Sequence, residues 1–374
     1  MPLDIENLRD RISGLGFDVV RFVSVEDEAA GGAAFRAWLA EGNHADMHWL
    51  EKTPERRIDP RNVLAGAKSL IMLGVNYGPK TDRSEGPIWA RYAVNRDYHD
   101  TLKPGLIAAG KVLEDELSLS SKDYRYYVDT GPLLERNWAT AAGLGFTGKN
   151  AMLISREYGN WLFLAGILVG AELPSDPPVS RKVESVPVGS LCGSCTACVD
   201  ACPTDALIGS GVLDARRCIS YQTIENKGII PRELRAAIGS RIYGCDICAE
   251  VCPWNRFAQD AKSGLIEARP QIDTLNLKEI LQLTPELFAA VFKGTPIKRL
   301  KLRGLLRNAC LVAANEERRE LIPELSELAN EPAEAMVRAH AVWALRRLGA
   351  NDALSSIRLI ETDATVLAEF DGPI

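Results

Sequence analysis

Cys192-Gly-Ser-Cys195-Thr-Ala-Cys198-Val-Asp-Ala-Cys202-Pro203 opens a pattern that Cys245-Asp-Ile-Cys248-Ala-Glu-Val-Cys252-Pro253 closes. With Cys218 between them, these runs hold eight of the nine cysteines. Three thiolates at i, i+3 and i+6 reach three irons of one cubane. The fourth, followed by proline, has already turned toward a neighbouring cube. The second run lacks an early cysteine, which Cys218 supplies. The crossover rule therefore assigns Cys192, Cys195, Cys198 and Cys252 to one 4Fe-4S cluster. Cys202, Cys218, Cys245 and Cys248 go to a second. Structural zinc favours paired knuckles set further apart. Disulfides are not expected, because the N-terminus shows no secretory signal. Cys310 stands apart in an apolar helical stretch, where it packs as a small hydrophobe.

Working outward, 374 residues suffice for two or three domains, and 46% hydrophobic with 25% charged residues describes a globular protein. The net charge of −6 argues against general nucleic-acid binding, so any such contact needs a local patch. No apolar run approaches the roughly 18 residues that span a bilayer. Low-potential clusters need reducing surroundings, so a cytoplasmic location is expected, and the chain is expected to be a monomer.

The expected fold class is α+β and multidomain. Residues 1–178 alternate helical and strand patterns and read as an α/β domain. Strands are expected at 17–23, 69–75, 125–129, 151–155 and 161–169. Helices are expected at 4–13, 99–117 and 133–142. Residues 173–190 are rich in Pro, Ser and charge, a linker signature. Residues 179–262 form a ferredoxin-like domain with the two clusters, and 263–374 read as wholly helical. There, residues 305–314 and 336–348 look like cognate helices, with Arg307 over Arg338. That repeat predicts a small HEAT-like array.

Several motifs tempt. Gly143-Leu-Gly145-Phe-Thr-Gly148-Lys149-Asn150 nearly fits a nucleotide loop. However, a helix precedes it and a strand follows, the reverse of what phosphate binding needs. It reads as a helix-ending loop that could line another cofactor. His44 and His48 stand at i and i+4 without an evident third ligand, so solvated helix positions are expected. Asp97-Tyr98-His99-Asp100-Thr101-Leu102 resembles the DxHxxG signature that offers histidine to cobalt, but Leu102 replaces the glycine, so His99 is not expected to ligate. Asp129 ends an aromatic strand before Thr130-Gly131-Pro132. It could act as a general acid or as the N-cap of the following helix, and spacing leaves both open. Residues 287–315 contain no acid, yet carry Lys293, Lys298, Arg299, Lys301, Arg303 and Arg307. One-signed clustering in an acidic chain predicts a polyanion contact.

Together these segments resemble the epoxyqueuosine reductases over essentially the full length. The resemblance rests on "ERRIDPRNVLAGAKSLI" (55–71), "RDYHD" (96–100), "VDTGPLLER" (128–136), "GFTGKN" (145–150), "CGSCTACVDACPTDAL" (192–207), "RCISY" (217–221) and "YGCDICAEVCPWN" (243–255). It implies base-off cobalamin as well as two 4Fe-4S clusters, bound by an N-terminal α/β cobalamin-binding domain and the ferredoxin-like domain. The implied reaction removes the epoxide oxygen of epoxyqueuosine at the tRNA wobble position, giving queuosine and water. Asp129 would be the proton donor. Arg57, Ala90, Asp129, Leu153, Leu164, Ser220, Asp246 and Ile247 would border the corrin. Lys227, with Lys298, Arg299, Lys301, Arg303 and Arg307, would face tRNA. Electrons would come from a flavodoxin, ferredoxin or similar donor. The rival expectations are a reductive dehalogenase-like reductase of small molecules and a non-enzymatic electron-transfer module.

Overall fold

The strand β2 (Ser69–Asn76) is buried along its whole length, as its unbroken apolar run requires. It pairs on one side with β1 (Val19–Ser24) and on the other with β4 (Leu162–Val169). Next to β4 lies β3 (Tyr124–Tyr127), giving the order β1-β2-β4-β3. Every neighbouring pair is antiparallel, so the expected α/β alternation does not build a parallel sheet. The computed structural model of the chain describes residues 3–26, 31–78, 86–179, 187–330 and 333–372. The expected linker therefore lies partly outside the described residues.

The helices of this region follow their sequence signals. Asp4 caps α1 (Ile5–Ser13) by accepting from the Asn7 backbone N–H, and Leu8 and Ile12 are its buried face. Helix α2 (Gly32–Ala40) leads through turns to the short α3 (Pro54–Ile58). The long α4 (Tyr98–Leu117) packs with α1, and α5 (Glu135–Ala141) lies against the sheet. Gly110 allows α4 its close approach, because a Cβ there would stand 2.6 Å from the Tyr124 ring.

Three consecutive domains are expected from the sequence, but the chain forms two compact, interleaved units. One comprises Met1–Thr81, Asp97–Asp214 and Ile247–Glu267; the other comprises Asp82–Arg96, Ala215–Asp246 and Ala268–Ile374. Long-range pairing explains the second unit's early segment. Ile88–Trp89 forms a parallel pair with Arg241–Tyr243, and Ala90 N–H donates to the Tyr243 carbonyl at 2.7 Å.

The second unit is mainly helical. Helix α6 (Lys301–Asn315) runs through its core with Leu305, Ala309, Cys310, Val312 and Ala313 fully buried. Helix α7 (Ile322–Leu328) packs with α8 (Ala335–Arg347), which also packs on α6. After α9 (Asn351–Ile360), α10 (Ala364–Asp371) returns to α8. The buried Glu369 of α10 takes two bonds from Arg235, at 2.9 and 2.8 Å. Such a pair holds position strongly, because removing one partner strands a buried charge.

Candidate functional site

Cys192, Cys195, Cys198 and Cys252 converge on one pocket of the first unit, together with Lys149, Asn150, Ile154, Pro253 and Trp254. None of the four is in a disulfide. Burial, and then neighbouring Cys192 and Cys252, push the Cys198 thiol up. Four crowded thiols need a cation to be held as thiolates, which is the chemistry an iron–sulfur cube supplies. Cys202 and Cys248 lie in this same unit. Cys218 and Cys245 lie in the other.

The glycine loop that failed as a nucleotide motif braces this pocket. Lys149 Nζ donates to the carbonyls of Gly193 and Cys195, at 2.7 and 3.0 Å. The buried Asn150 side chain donates to Asn160 Oδ1 and to the Cys248 carbonyl, at 2.9 and 3.1 Å. Asn160 in turn donates to Asn255 Oδ1 at 3.0 Å, and Asn255 to the Ala249 carbonyl at 2.6 Å. Side-chain amides thus satisfy carbonyls of the short helix Ile247–Glu250, which is too brief to pair them all internally. The ring of Trp254 meets Phe146 edge-on at 5.1 Å, closing the apolar side. Sequence alone gives no sign of this Asn150–Asn160–Asn255 chain.

Asp129 sits beyond β3 with φ +56°, a conformation that Asp tolerates better than most residues. Helix α5 begins six residues on with Leu134 as its cap residue, so Asp129 is not its N-cap. Its carboxylate instead accepts from Tyr98 Oη at 2.8 Å, and its backbone N–H donates to Glu135 Oε1 at 2.9 Å. The side chain stays two-thirds exposed, open to a reactant. Gly131 lets the turn close on Tyr127, since a Cβ would lie 2.2 Å from that ring. Tyr98 stacks on Phe163 at 4.4 Å, and burial followed by Asp129 drives its hydroxyl far above its ordinary pKa, so it remains a donor. Burial, then Asp129, pushes Glu135 up to about 8.

Arg57 holds this turn. Its Nη1 donates to the Gly131 carbonyl at 3.3 Å, its charge acts on Asp129 and Glu135, and its Nε is buried without a partner. That orphan donor suits a further polar group at the site. His99 is bound through Nδ1 to Asp97 at 2.6 Å, with Nε2 3.9 Å from Asp129 Oδ2. The ring is thus held between Asp97 and the Asp129 turn. Leu153 is buried in the short strand Leu153–Ile154, and Leu164 is half-buried on β4.

In the second unit, the Asp246 carboxylate accepts from Arg91 N–H at 2.7 Å, close in sequence to the buried Ala90. Ser220 lies half-buried on the helix Ile219–Ile224. Ile247 belongs to the first unit and begins the helix Ile247–Glu250.

The basic patch is only partly a surface. Lys298 and Lys301 are exposed, and no described ion pair engages either. Arg299 is paired bidentately with Glu225, at 2.6 and 3.0 Å, and Arg303 with Glu334 at 2.9 Å. Lys227 is exposed and donates to the Ile224 carbonyl at 2.5 Å. Arg307 is a correction to the expected tRNA contact. It is fully buried and donates to the carbonyls of Asn226, Gly228 and Gln222, at 2.8, 2.8 and 2.7 Å. Its guanidinium saturates three backbone acceptors and cannot reach a polyanion. Cognate Arg338 is likewise turned inward, pairing with Glu361 at 2.8 and 3.1 Å. The histidine expectation also changes. His44 and His48 lie in turns, not on a helix, and His44 is buried. Cys310 is the buried apolar residue expected, its thiol pushed up by burial.

Comparison with known proteins supplies the context. Residues 191–255 match the family described as a 4Fe-4S double cluster binding domain, and residues 57–130 match that described as "Epoxyqueuosine reductase QueG, DUF1730". The epoxyqueuosine reductase of Xanthomonas campestris pv. campestris is 37% identical over 332 residues, 87% of this chain and 89% of that protein. That of Escherichia coli is 35% identical over 356 residues, 92% of this chain and 90% of that protein. Among solved structures, an epoxyqueuosine reductase with a tRNA-Tyr epoxyqueuosine-modified stem loop superposes with a TM-score of 0.89 at 30% identity, covering 98% of this chain and 96% of that one. The Bacillus subtilis epoxyqueuosine reductase, with its catalytic aspartate loop swung out of the active site, gives a TM-score of 0.85 at 30% identity over 98% and 97% of the two chains.

Proposed function

The chain belongs to the epoxyqueuosine reductase family, and from that premise we propose how its own residues carry the reaction. It is an oxidoreductase that reduces epoxyqueuosine in tRNA to queuosine. The observation that carries this is the likeness, over 98% of the chain, to an epoxyqueuosine reductase solved with its modified stem loop.

The net change takes two electrons and two protons, and the epoxide oxygen leaves as water. Two 4Fe-4S clusters and base-off cobalamin supply the low-potential electrons when bound. Asp129 Oδ gives a proton to the departing oxygen, because hydroxide leaves a carbon more readily than oxide does. The resulting carboxylate is stabilised by the Tyr98 hydroxyl at 2.8 Å and by the charge of Arg57, which favours release of the proton as the bond breaks. Arg57, through the Gly131 carbonyl, and Glu135, through the Asp129 N–H, hold the turn that aims the acid.

Arg57, Ala90, Asp129, Leu153, Leu164, Ser220, Asp246 and Ile247 border the corrin in this reading. Cys192, Cys195, Cys198 and Cys252 hold one cluster; Cys202, Cys218, Cys245 and Cys248 hold the other. Lys298, Lys301 and Lys227 meet the phosphates of tRNA, with Arg299 and Arg303 freed by exchange from their acidic partners. The C-terminal helices act as a HEAT-like array that bears this patch. A flavodoxin- or ferredoxin-type donor reduces the protein, which works as a monomer in the cytoplasm.

The test is turnover of epoxyqueuosine-containing tRNA by anaerobically reconstituted protein, read by nucleoside mass analysis. Asp129→Asn should keep the cluster and cobalamin spectra yet lose roughly 100- to 10,000-fold in rate. Near-parental turnover by that variant overturns the proton-donor role.

A further inference from the structure

Between α2 and α3 the chain makes a run of turns, and three ligand-type side chains meet there. His44 Nε2 lies 2.8 Å from Glu51 Oε1, and His48 Nδ1 lies 3.1 Å from Glu51 Oε2. One ligand atom from each residue falls within 4.8 Å of the others. In the sequence the two histidines lack a third partner. The turns supply Glu51 by folding the chain back around His48, with Leu50 N–H donating to the Met47 carbonyl at 2.9 Å.

We propose that His44, His48 and Glu51 form a binding site for a divalent transition metal of the zinc class. The donor set is two imidazoles and a carboxylate, a recognised zinc combination that leaves a fourth position open. Around tetrahedral zinc, with bonds near 2.0–2.1 Å, ligand atoms stand about 3.3 Å apart. The two imidazole–carboxylate spacings, 2.8 and 3.1 Å, lie within about half an ångström of that, and the third pair, already inside 4.8 Å, closes by at most about 1.5 Å on binding. The carboxylate already bridges both rings, so a cation would replace shared protons and recruit no new group. His44 is rigidly placed. It is 4% exposed, its ring lies 6.0 Å from that of Trp38, and its Nδ1 is buried without a partner, so Nε2 is the ring's only outlet. His48 and Glu51 are exposed, at 66% and 47% of their side chains, which leaves the site open to exchange with solvent.

Hard cations fit poorly, because calcium and magnesium ask for six or more oxygens. Zinc, or nickel and copper by the order of nitrogen affinity, fits the two imidazoles. A bound ion would tie His44 to Glu51 across the turns and so fix the approach to α3, three residues on, where Arg57 lies. The site shares no residue with the cluster cysteines or the Asp129 turn.

The experiment titrates zinc chloride into the fully cluster-loaded protein, in anaerobic competition with a chromophoric zinc chelator, while protein-bound iron is followed. One tight zinc per chain is expected, with no loss of iron. His48→Gln and Glu51→Gln, both at exposed positions, should each weaken that uptake roughly tenfold or more. His44→Gln should do the same, but its burial makes the two exposed variants the deciding ones. Parental affinity in both H48Q and E51Q overturns the proposal, as does the absence of tight zinc. Zinc uptake that releases iron and ignores both substitutions belongs to the cysteines and overturns it equally.

Discussion

At the Asp129 turn, a single hydroxyl separates the stabilising pair from an ordinary exposed carboxylate. Tyr98→Phe removes that hydroxyl while keeping the ring stacked on Phe163. One hydrogen bond to a charged group contributes about 1.5–3 kcal/mol, so single-turnover rates should fall roughly tenfold or more. The KM for tRNA should move little, because the hydroxyl meets the acid rather than the nucleic acid. Glu135 gives a different signature. Its carboxyl titrates near 8 against an ordinary 4.5, so the folded chain holds a proton that the unfolded chain releases. This group's contribution is fully present below its unfolded pKa and is lost as pH rises through about 8. Glu135→Gln cannot titrate. Its thermal unfolding midpoint, relative to the parent, should rise steadily between about pH 5 and pH 9. A flat difference across that window would remove Glu135 as a shifted acid.

Among the elements, the loop carrying Lys149 and Asn150 has the clearest job. Lys149→Met keeps the stem but loses both bonds to the Gly193 and Cys195 carbonyls. The first cluster should become labile, so that a mild chelator strips about half of the roughly eight irons ahead of the rest. Uniform, parental kinetics of iron loss would show that the lysine does not brace the run. This loop also marks where sequence reading stops. Cysteine spacing is a local property of ligand bite, so the convergence of Cys192, Cys195, Cys198 and Cys252 was legible. The apolar runs at β2 and β4 were equally plain, since burial on both faces needs an unbroken hydrophobic string. Strand direction was not, because it depends on partners far along the chain, and the sheet proved antiparallel throughout. Arg307 looked like a surface cation because its neighbours are basic. Only the free carbonyls of residues 222–228 explain why it turns inward. Glu51 was missed because it joins the two histidines through turns, which carry no periodic signal.

For the molecule as a whole, an acidic protein must still hold a polyanion. Lys298→Gln with Lys301→Gln should weaken tRNA binding and flatten its fall with salt, in a titration at several ionic strengths. The loss should be similar for different tRNA sequences, because phosphate contacts carry no sequence information. Unchanged affinity and slope would exclude these lysines from the contact. Arg307→Gln should behave oppositely, lowering stability in denaturant with little change in salt slope, because it strands buried carbonyls. The interleaved units have one more consequence, for biosynthesis. As the polypeptide leaves the ribosome, Cys192, Cys195 and Cys198 emerge together, but Cys252, which lines the same pocket, follows more than fifty residues later. The first unit likewise lacks its last segment until Ile247–Glu267 has been made. Iron delivered to the nascent chain would meet an incomplete three-thiol site. The four-thiol pocket is therefore complete only once residue 252 has been made, and a chain stalled between residues 203 and 252 would expose three of its thiols without the fourth.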